Sequence, residues 1–173
     1  MKRNNQAFTL IELLVVVLII GVLAAIAVPQ YQVAVMKSRL ATTISGVKTL
    51  AQAAETYYMA NGQYPNDDAT ELDVSAFSGC TTGGVGGQIN CKKIKFDLNS
   101  GPNYTASADN VTGLVYVNGK YSLSYMQFLE HPSRAAHLAG LRICNAYDNS
   151  ALSHKVCKSM GGVKISNTQY TLP

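Results

Sequence analysis

Glu12 is the one charged side chain in an apolar run from Phe8 to Val28, and those 21 residues are enough to cross a bilayer as a helix. A lone carboxylate at membrane depth is costly or stays protonated, so it marks a functional position that needs a partner. The residues before it supply one. Lys2-Arg3-Asn4-Asn5-Gln6-Ala7 is a short basic leader, and a cut after Ala7 would leave an ammonium on Phe8. That ammonium would sit about one helical turn from Glu12 of its own chain, or beside Glu12 of a neighbouring copy.

The second chemically capable set is four cysteines, Cys80, Cys91, Cys144 and Cys157. They contain no C-x-x-C and fit no zinc spacing. Behind an N-terminal export signal they read as two disulfides formed in an oxidising compartment. Three pairings are open, and sequence proximity favours Cys80 with Cys91 and Cys144 with Cys157. His131, His137 and His154 are scattered, with no paired acid or nucleophile pattern. No phosphate-binding glycine loop, G-x-S-x-G, H-E-x-x-H or dinucleotide fingerprint is present. The expectation is therefore no catalytic residues, no cofactor, no metal site and no enzyme activity.

Charge excludes little but is informative. The net charge is +4, and without Lys2 and Arg3 the 14 Lys and Arg become 12 against 10 Asp and Glu. That balance is too mild to make nucleic acid a specific partner. Lys92, Lys93 and Lys95, with Lys155, Lys158 and Lys164, could form a basic patch, but a solvated face is the better reading.

These residues must be held by a long helix and a sheet. Residues 8–60 read as one helix, about 80 Å long. Its first part, 8–28, is apolar all round. In the second part, 29–60, Leu40, Ile44, Val47, Ala51, Ala54 and Tyr58 form one stripe at helical spacing, and Lys37, Arg39, Thr43, Lys48, Gln52 and Glu55 take the other side. Gly21 and Pro29 are weak points, and Pro29 should kink or loosen the preceding turn. Asn61-Gly62 ends the helix and Pro65 prevents its return. Residues 61–92 read as a connecting loop region, locally acidic at Asp67, Asp68, Glu71 and Asp73. Residues 93–173 carry the strand signals: Lys93–Leu98, Tyr104–Ala106, and a hairpin of Leu114–Val117 and Lys120–Tyr125 turning at Asn118-Gly119. A final strand is expected within Leu138–Cys144, a short helix at Ser150–Met160, and a polar tail over the last eleven residues. The fold class is α+β: a long N-terminal helix on a small antiparallel sheet, with a disulfide-bonded C-terminal region.

Ala7-Phe8-Thr9-Leu10-Ile11-Glu12, followed by the apolar run to Val28-Pro29-Gln30-Tyr31, resembles the N-terminal segment of type IV pilins and the related pseudopilins. The likeness covers about residues 2–60; beyond that it is one of layout. One departure is Ala7, where the family usually has Gly before the cut; Ala is the next smallest residue, so slower but viable processing is expected. The resemblance implies a 1–7 leader removed by a prepilin peptidase, methylation of the Phe8 amine, and pairing of Glu12 with the Phe8 ammonium of the next subunit. It implies a chain held in the cytoplasmic membrane by residues 8–28. An inner-membrane assembly platform and its ATPase would then stack it with copies of itself into a surface filament. It also implies that Gly21 and Pro29 let the helix loosen, and that Cys144–Cys157 would pin an exposed loop. The expected function is a pilus subunit serving adhesion, motility or DNA uptake. The alternatives are a type II secretion pseudopilin and an exported soluble domain cut after Ala25-Ile26-Ala27 by an ordinary signal peptidase. Glu12, the length of the apolar run and the helical pattern continuing past Pro29 argue against the last.

Overall fold

The computed structural model describes residues 8–72, 77–83, 87–101, 109–132 and 135–173. The leader with Ala7, Asp73 of the acidic segment and the strand expected at Tyr104–Ala106 lie outside the described residues.

Helix α1 spans Leu10–Asn61, 52 residues. It stops where Gly62 turns left-handed at φ 72° and donates its N–H to the Tyr58 carbonyl at 2.7 Å. The helix runs on through Pro29, whose missing N–H leaves the Ala25 carbonyl without its intrahelical donor. Its inward face is Met36, Leu40, Thr43, Val47, Leu50, Ala51 and Ala54. Thr43 corrects the expected polar side. It is fully buried, its hydroxyl donates back to the Arg39 carbonyl at 2.9 Å, and its methyl faces Gly113. A threonine whose hydroxyl is satisfied by its own helix presents only a methyl to its neighbours, so its type misleads about its face.

Among the described residues the strands form one antiparallel sheet in the order β1-β2-β3-β4-β5-β6-β8-β7. They are β1 Thr81–Thr82, β2 Ile89–Asn90, β3 Ile94–Asn99, β4 Asn110–Val117, β5 Lys120–Phe128, β6 Arg142–Asn145, β7 Val163–Lys164 and β8 Gln169–Thr171. The β4–β5 hairpin is the spine, and it is longer at its open end than the residue pattern suggests. Its turn puts Asn118 at φ 51° and Gly119 at φ 76°, the two positive angles a type I′ hairpin needs. The inner face places Phe96, Gly113 and Tyr125 in one cross-strand row, flanked by Leu98 with Val111 and Val115 with Leu123. These pack on the buried stripe of α1. Gly46 and Gly113 let the layers meet: a Cβ on Gly46 would run into the Phe96 ring, and one on Gly113 into Thr43 and Val47.

Three expectations are corrected at the sheet edges. The segment 61–92 is not all loop, because β1 and β2 pair with each other and β2 carries the buried Ile89 onto β3. The last large strand is Arg142–Asn145, preceded by a 3₁₀ turn at Ala136–Leu138. The polar tail is β7 and β8: Tyr170 pairs with Cys144 and is 1% exposed. Strands of two or three residues are too short to show alternation, so only their tertiary partners reveal them. Helix α2, Ala151–Ser159, begins at Ser150, whose hydroxyl accepts from the Ser153 N–H at 3.1 Å.

Candidate assembly segment

The start of α1 is a reciprocal cap built on Glu12. The Glu12 N–H donates to the Thr9 hydroxyl oxygen at 3.3 Å. Oε2 of Glu12 accepts from the Thr9 N–H at 2.9 Å and from the Thr9 hydroxyl at 2.7 Å. This is the capping box that a Thr-x-x-Glu spacing encodes, and it satisfies two of the N–H groups that every helix start leaves unpaired. Attention to the charge of Glu12 hides this second role, although Thr9-Leu10-Ile11-Glu12 spells it in the sequence. The cap also holds the carboxylate at the helix N-terminus, where the macrodipole favours negative charge.

Above the cap, the helix is bare. Leu10, Leu14, Leu18, Leu23 and Ile26 are all exposed, Leu10 to 88%, and the apolar window of the helix has no share buried in the chain's own fold. Each such side chain left in water forgoes about 1.5–3 kcal/mol of burial. A rod of this length must therefore be covered by lipid or by other apolar helices. Phe8 is 78% exposed at its tip. Gly21 has open space around an added Cβ, so nothing within the single chain demands glycine there.

The remaining residues singled out from the sequence belong to the head. Cys80 pairs with Cys91, Cα to Cα 4.5 Å, beside β1 and β2. Cys144 pairs with Cys157, Cα to Cα 5.7 Å, and both are fully buried where α2 lies on β6. His131 stacks on Tyr58 at 4.7 Å. His154 bridges Tyr170 and Asn149, each at 2.8 Å. Asp148 takes the Ser122 hydroxyl at 2.6 Å and the Ser150 N–H at 3.0 Å. Burial works to raise its pKa, and these hydrogen bonds outweigh it and hold the carboxyl below its ordinary value. These groups are thus engaged in packing and capping within the head.

Comparison with known proteins points the same way. The family described as the prokaryotic N-terminal methylation motif matches residues 2–28. The type IV major fimbrial protein FimA of Dichelobacter nodosus is 33% identical over 114 residues, covering 66% of this chain and 62% of that protein. A fimbrial protein of Pseudomonas aeruginosa is 51% identical over 54 residues, 31% of this chain and 35% of that protein. The type II secretion system core protein G of Pseudomonas aeruginosa is 37% identical over 65 residues, 38% of this chain and 46% of that protein. The chain thus spans between about a third and just under two thirds of the length of these relatives. No solved structure matches it significantly. With the methylation motif at its start, a bare apolar half-helix, and an amphipathic half packed on an antiparallel sheet with two disulfides, the chain is similar to the prepilin-like proteins of the pilin–pseudopilin superfamily.

Proposed function

We propose that this chain is the structural subunit of a type IV pilus filament. The observation that carries the reading is the 8–28 segment, a bare apolar rod ending in a capped carboxylate. Lipid covers the rod while the subunit waits in the cytoplasmic membrane, and the same segments of other copies cover it in the fibre. A prepilin peptidase cuts after Ala7, leaving Phe8 as a methylated ammonium. Glu12 then pairs with that ammonium on the adjoining copy. A buried pair of this kind adds little net stability but heavily penalises a wrong register. The association is head-to-tail and does not close, so it grows. An inner-membrane platform and its ATPase drive the transfer, and the mature chain ends on the cell surface. The loss of one backbone bond at Pro29, with Gly21 below it, lets the helix lengthen in the fibre. The role is structural, with adhesion, motility or DNA uptake as its outlets.

The likeness to a type II secretion core protein favours a second reading, a pseudopilin in a short periplasmic fibre. The longer alignment to a major fimbrial protein weighs towards the pilus. Intact mass and N-terminal sequence of the protein from native envelopes test the processing. A start at Phe8, with or without one methyl, supports it; a start near Val28 identifies an exported soluble domain and overturns it. Abundance on sheared surface fibres then separates pilus from pseudopilin.

A further inference from the structure

Two clusters of opposite charge stand at different heights along α1, although Asp148 beside Ser122 and Arg142 opposite Gln127 depart from that sorting. At the lower end, where the bare helix leaves the sheet, Arg39, Lys92, Lys93 and Lys95 line an open cleft of about 500 Å³ beside the Asn118-Gly119 turn. Among the described residues no carboxylate lines it, although Lys95 also reaches Asp97 at 3.6 Å. Lys92 and Lys93 are exposed. At the upper end the sign reverses. Glu55 accepts from the Tyr64 hydroxyl and from the Glu130 N–H, each at 2.8 Å, and Glu71 accepts from the Tyr57 hydroxyl at 2.8 Å. Asp67 and Asp68 lie in the turn that follows the helix, and Asp67 donates its N–H to Ser100 at 2.7 Å. Burial first, and then the nearby Asp97 and Asp68, raise the Asp67 carboxyl above its ordinary pKa, and its Oδ1 is buried without a hydrogen-bond partner among the described residues. Arg39 and Glu55 are 16 positions apart on the helix, a rise of about 24 Å between the two ends.

We propose that the basic cleft at the base of one head receives the acidic upper end of another copy of this chain, one head height along the fibre and distinct from the neighbour whose Phe8 pairs with Glu12, so that the heads, and not only the apolar helices, set the axial register of the fibre. The inference rests on the filament reading above. An anionic membrane surface would satisfy the cleft but would leave the acidic end without a partner. A second copy satisfies both at once, because each chain carries both halves of the interface at opposite ends. A displacement of about one head height also lays the apolar segment of the upper copy alongside the amphipathic half of the lower α1. Complementary patches of this kind act mainly on encounter and register, and they weaken as salt screens them over about 8 Å.

The test is a charge-exchange cycle in the full chain, read as the yield of sheared filaments. The base variant is K92E with K93E, and the upper variant is E71K with E130K; all four side chains are exposed. Each double variant should lower yield about fivefold at low salt. Co-expressing the base variant with the upper variant leaves like charges in some contacts, so the decisive arm is the fourfold exchange in one chain, which should restore at least half of the parental yield. Melting temperature and intact disulfides of each purified variant exclude misfolding as the cause. Parental yield from the double variants, or a fourfold exchange no better than either double, overturns the proposal. A base variant that alone loses binding to vesicles containing anionic lipid, with the upper variant silent, assigns the cleft to the membrane instead. Failure of the parent chain to form filaments at all overturns the filament reading, a result distinct from each of these.

Discussion

Oε2 of Glu12 lies 2.7 Å from the Thr9 hydroxyl, so the carboxylate expected to wait for another subunit already has a place in its own helix. Cap and intersubunit pairing use different properties of the residue. The cap needs an acceptor three residues after Thr9, whereas the pairing needs a negative charge. Glu12→Gln keeps the first and removes the second. Filament yield should fall as far in Glu12→Gln as in Glu12→Ala, with leader cleavage intact in both. Thr9→Ala, which leaves the charge, should fall much less. Full fibre yield from Glu12→Gln would sink the pairing and leave Glu12 as a cap alone.

Gly113 sits in the central strand directly under Thr43 and Val47, and a Cβ there would stand 2.8 Å from Val47 Cγ2. A side chain must push α1 off the hairpin. Gly113→Val should therefore cost about 1–3 kcal/mol, despite the higher strand propensity of valine. That corresponds to a melting temperature lower by about 3–10 °C in a domain of this size, measured by circular dichroism on the detergent-solubilised chain. A melting point equal to that of the parent would mean that the helix and sheet are less tightly opposed.

How far the sequence could be read follows from the length over which each signal repeats. The stripe from Leu40 to Tyr58 repeats over many turns and marks the face that meets the sheet. Asn118-Gly119 marks the hairpin because only certain residues accept two positive φ angles. Thr43, Gly46 and Gly113 carry no such signal: what matters about them is what stands opposite, and that is a tertiary fact. The same holds for β1, β2, β7 and β8, whose two or three residues pair because Ile89 and Tyr170 are pulled into the core. In the assembly segment Glu12 stood out by its charge, but its bond to Thr9 was also readable from spacing. The sorting of Lys92 and Lys93 to one end and Glu71 and Glu130 to the other was not readable, since residues far apart in sequence make up each end.

The two disulfides close loops of similar length, with sequence separations of 11 and 13, so loop entropy alone would make them nearly equal. Their surroundings differ. Cys144 and Cys157 are fully buried between β6 and α2, next to Val156 and Tyr170, whereas Cys80 and Cys91 are partly exposed at the edge strands. Replacing Cys144 and Cys157 together by Ser should cost about 2–5 kcal/mol and loosen α2. The Cys80 and Cys91 pair should cost less and leave the core intact. Urea unfolding midpoints of the two double variants check the order, and equal losses would contradict the role assigned to burial.

Asp67 offers a test that depends on pH. Its carboxyl is raised above the ordinary value by burial first, then by Asp97 and Asp68, and its backbone is left-handed at φ 54°. A group that binds its proton more tightly folded than unfolded makes stability fall as pH rises through the interval between its ordinary and its raised pKa. Ionised Asp67 therefore costs stability at neutral pH. Asn tolerates the same left-handed backbone and carries no charge. Asp67→Asn should be more stable than the parent at pH 7, and the advantage should disappear below the ordinary carboxylate range, where both side chains are neutral. The gain is modest because the residue is only half-buried and solvent screens part of its repulsion, even though Oδ1 itself is buried without a hydrogen-bond partner among the described residues. Urea midpoints for parent and variant at neutral and acid pH decide the matter. A variant less stable at neutral pH would show that the Asp67 charge is compensated within the single chain, and the crowding at the upper end of the head would then be no incentive for a neighbour's lysines to approach.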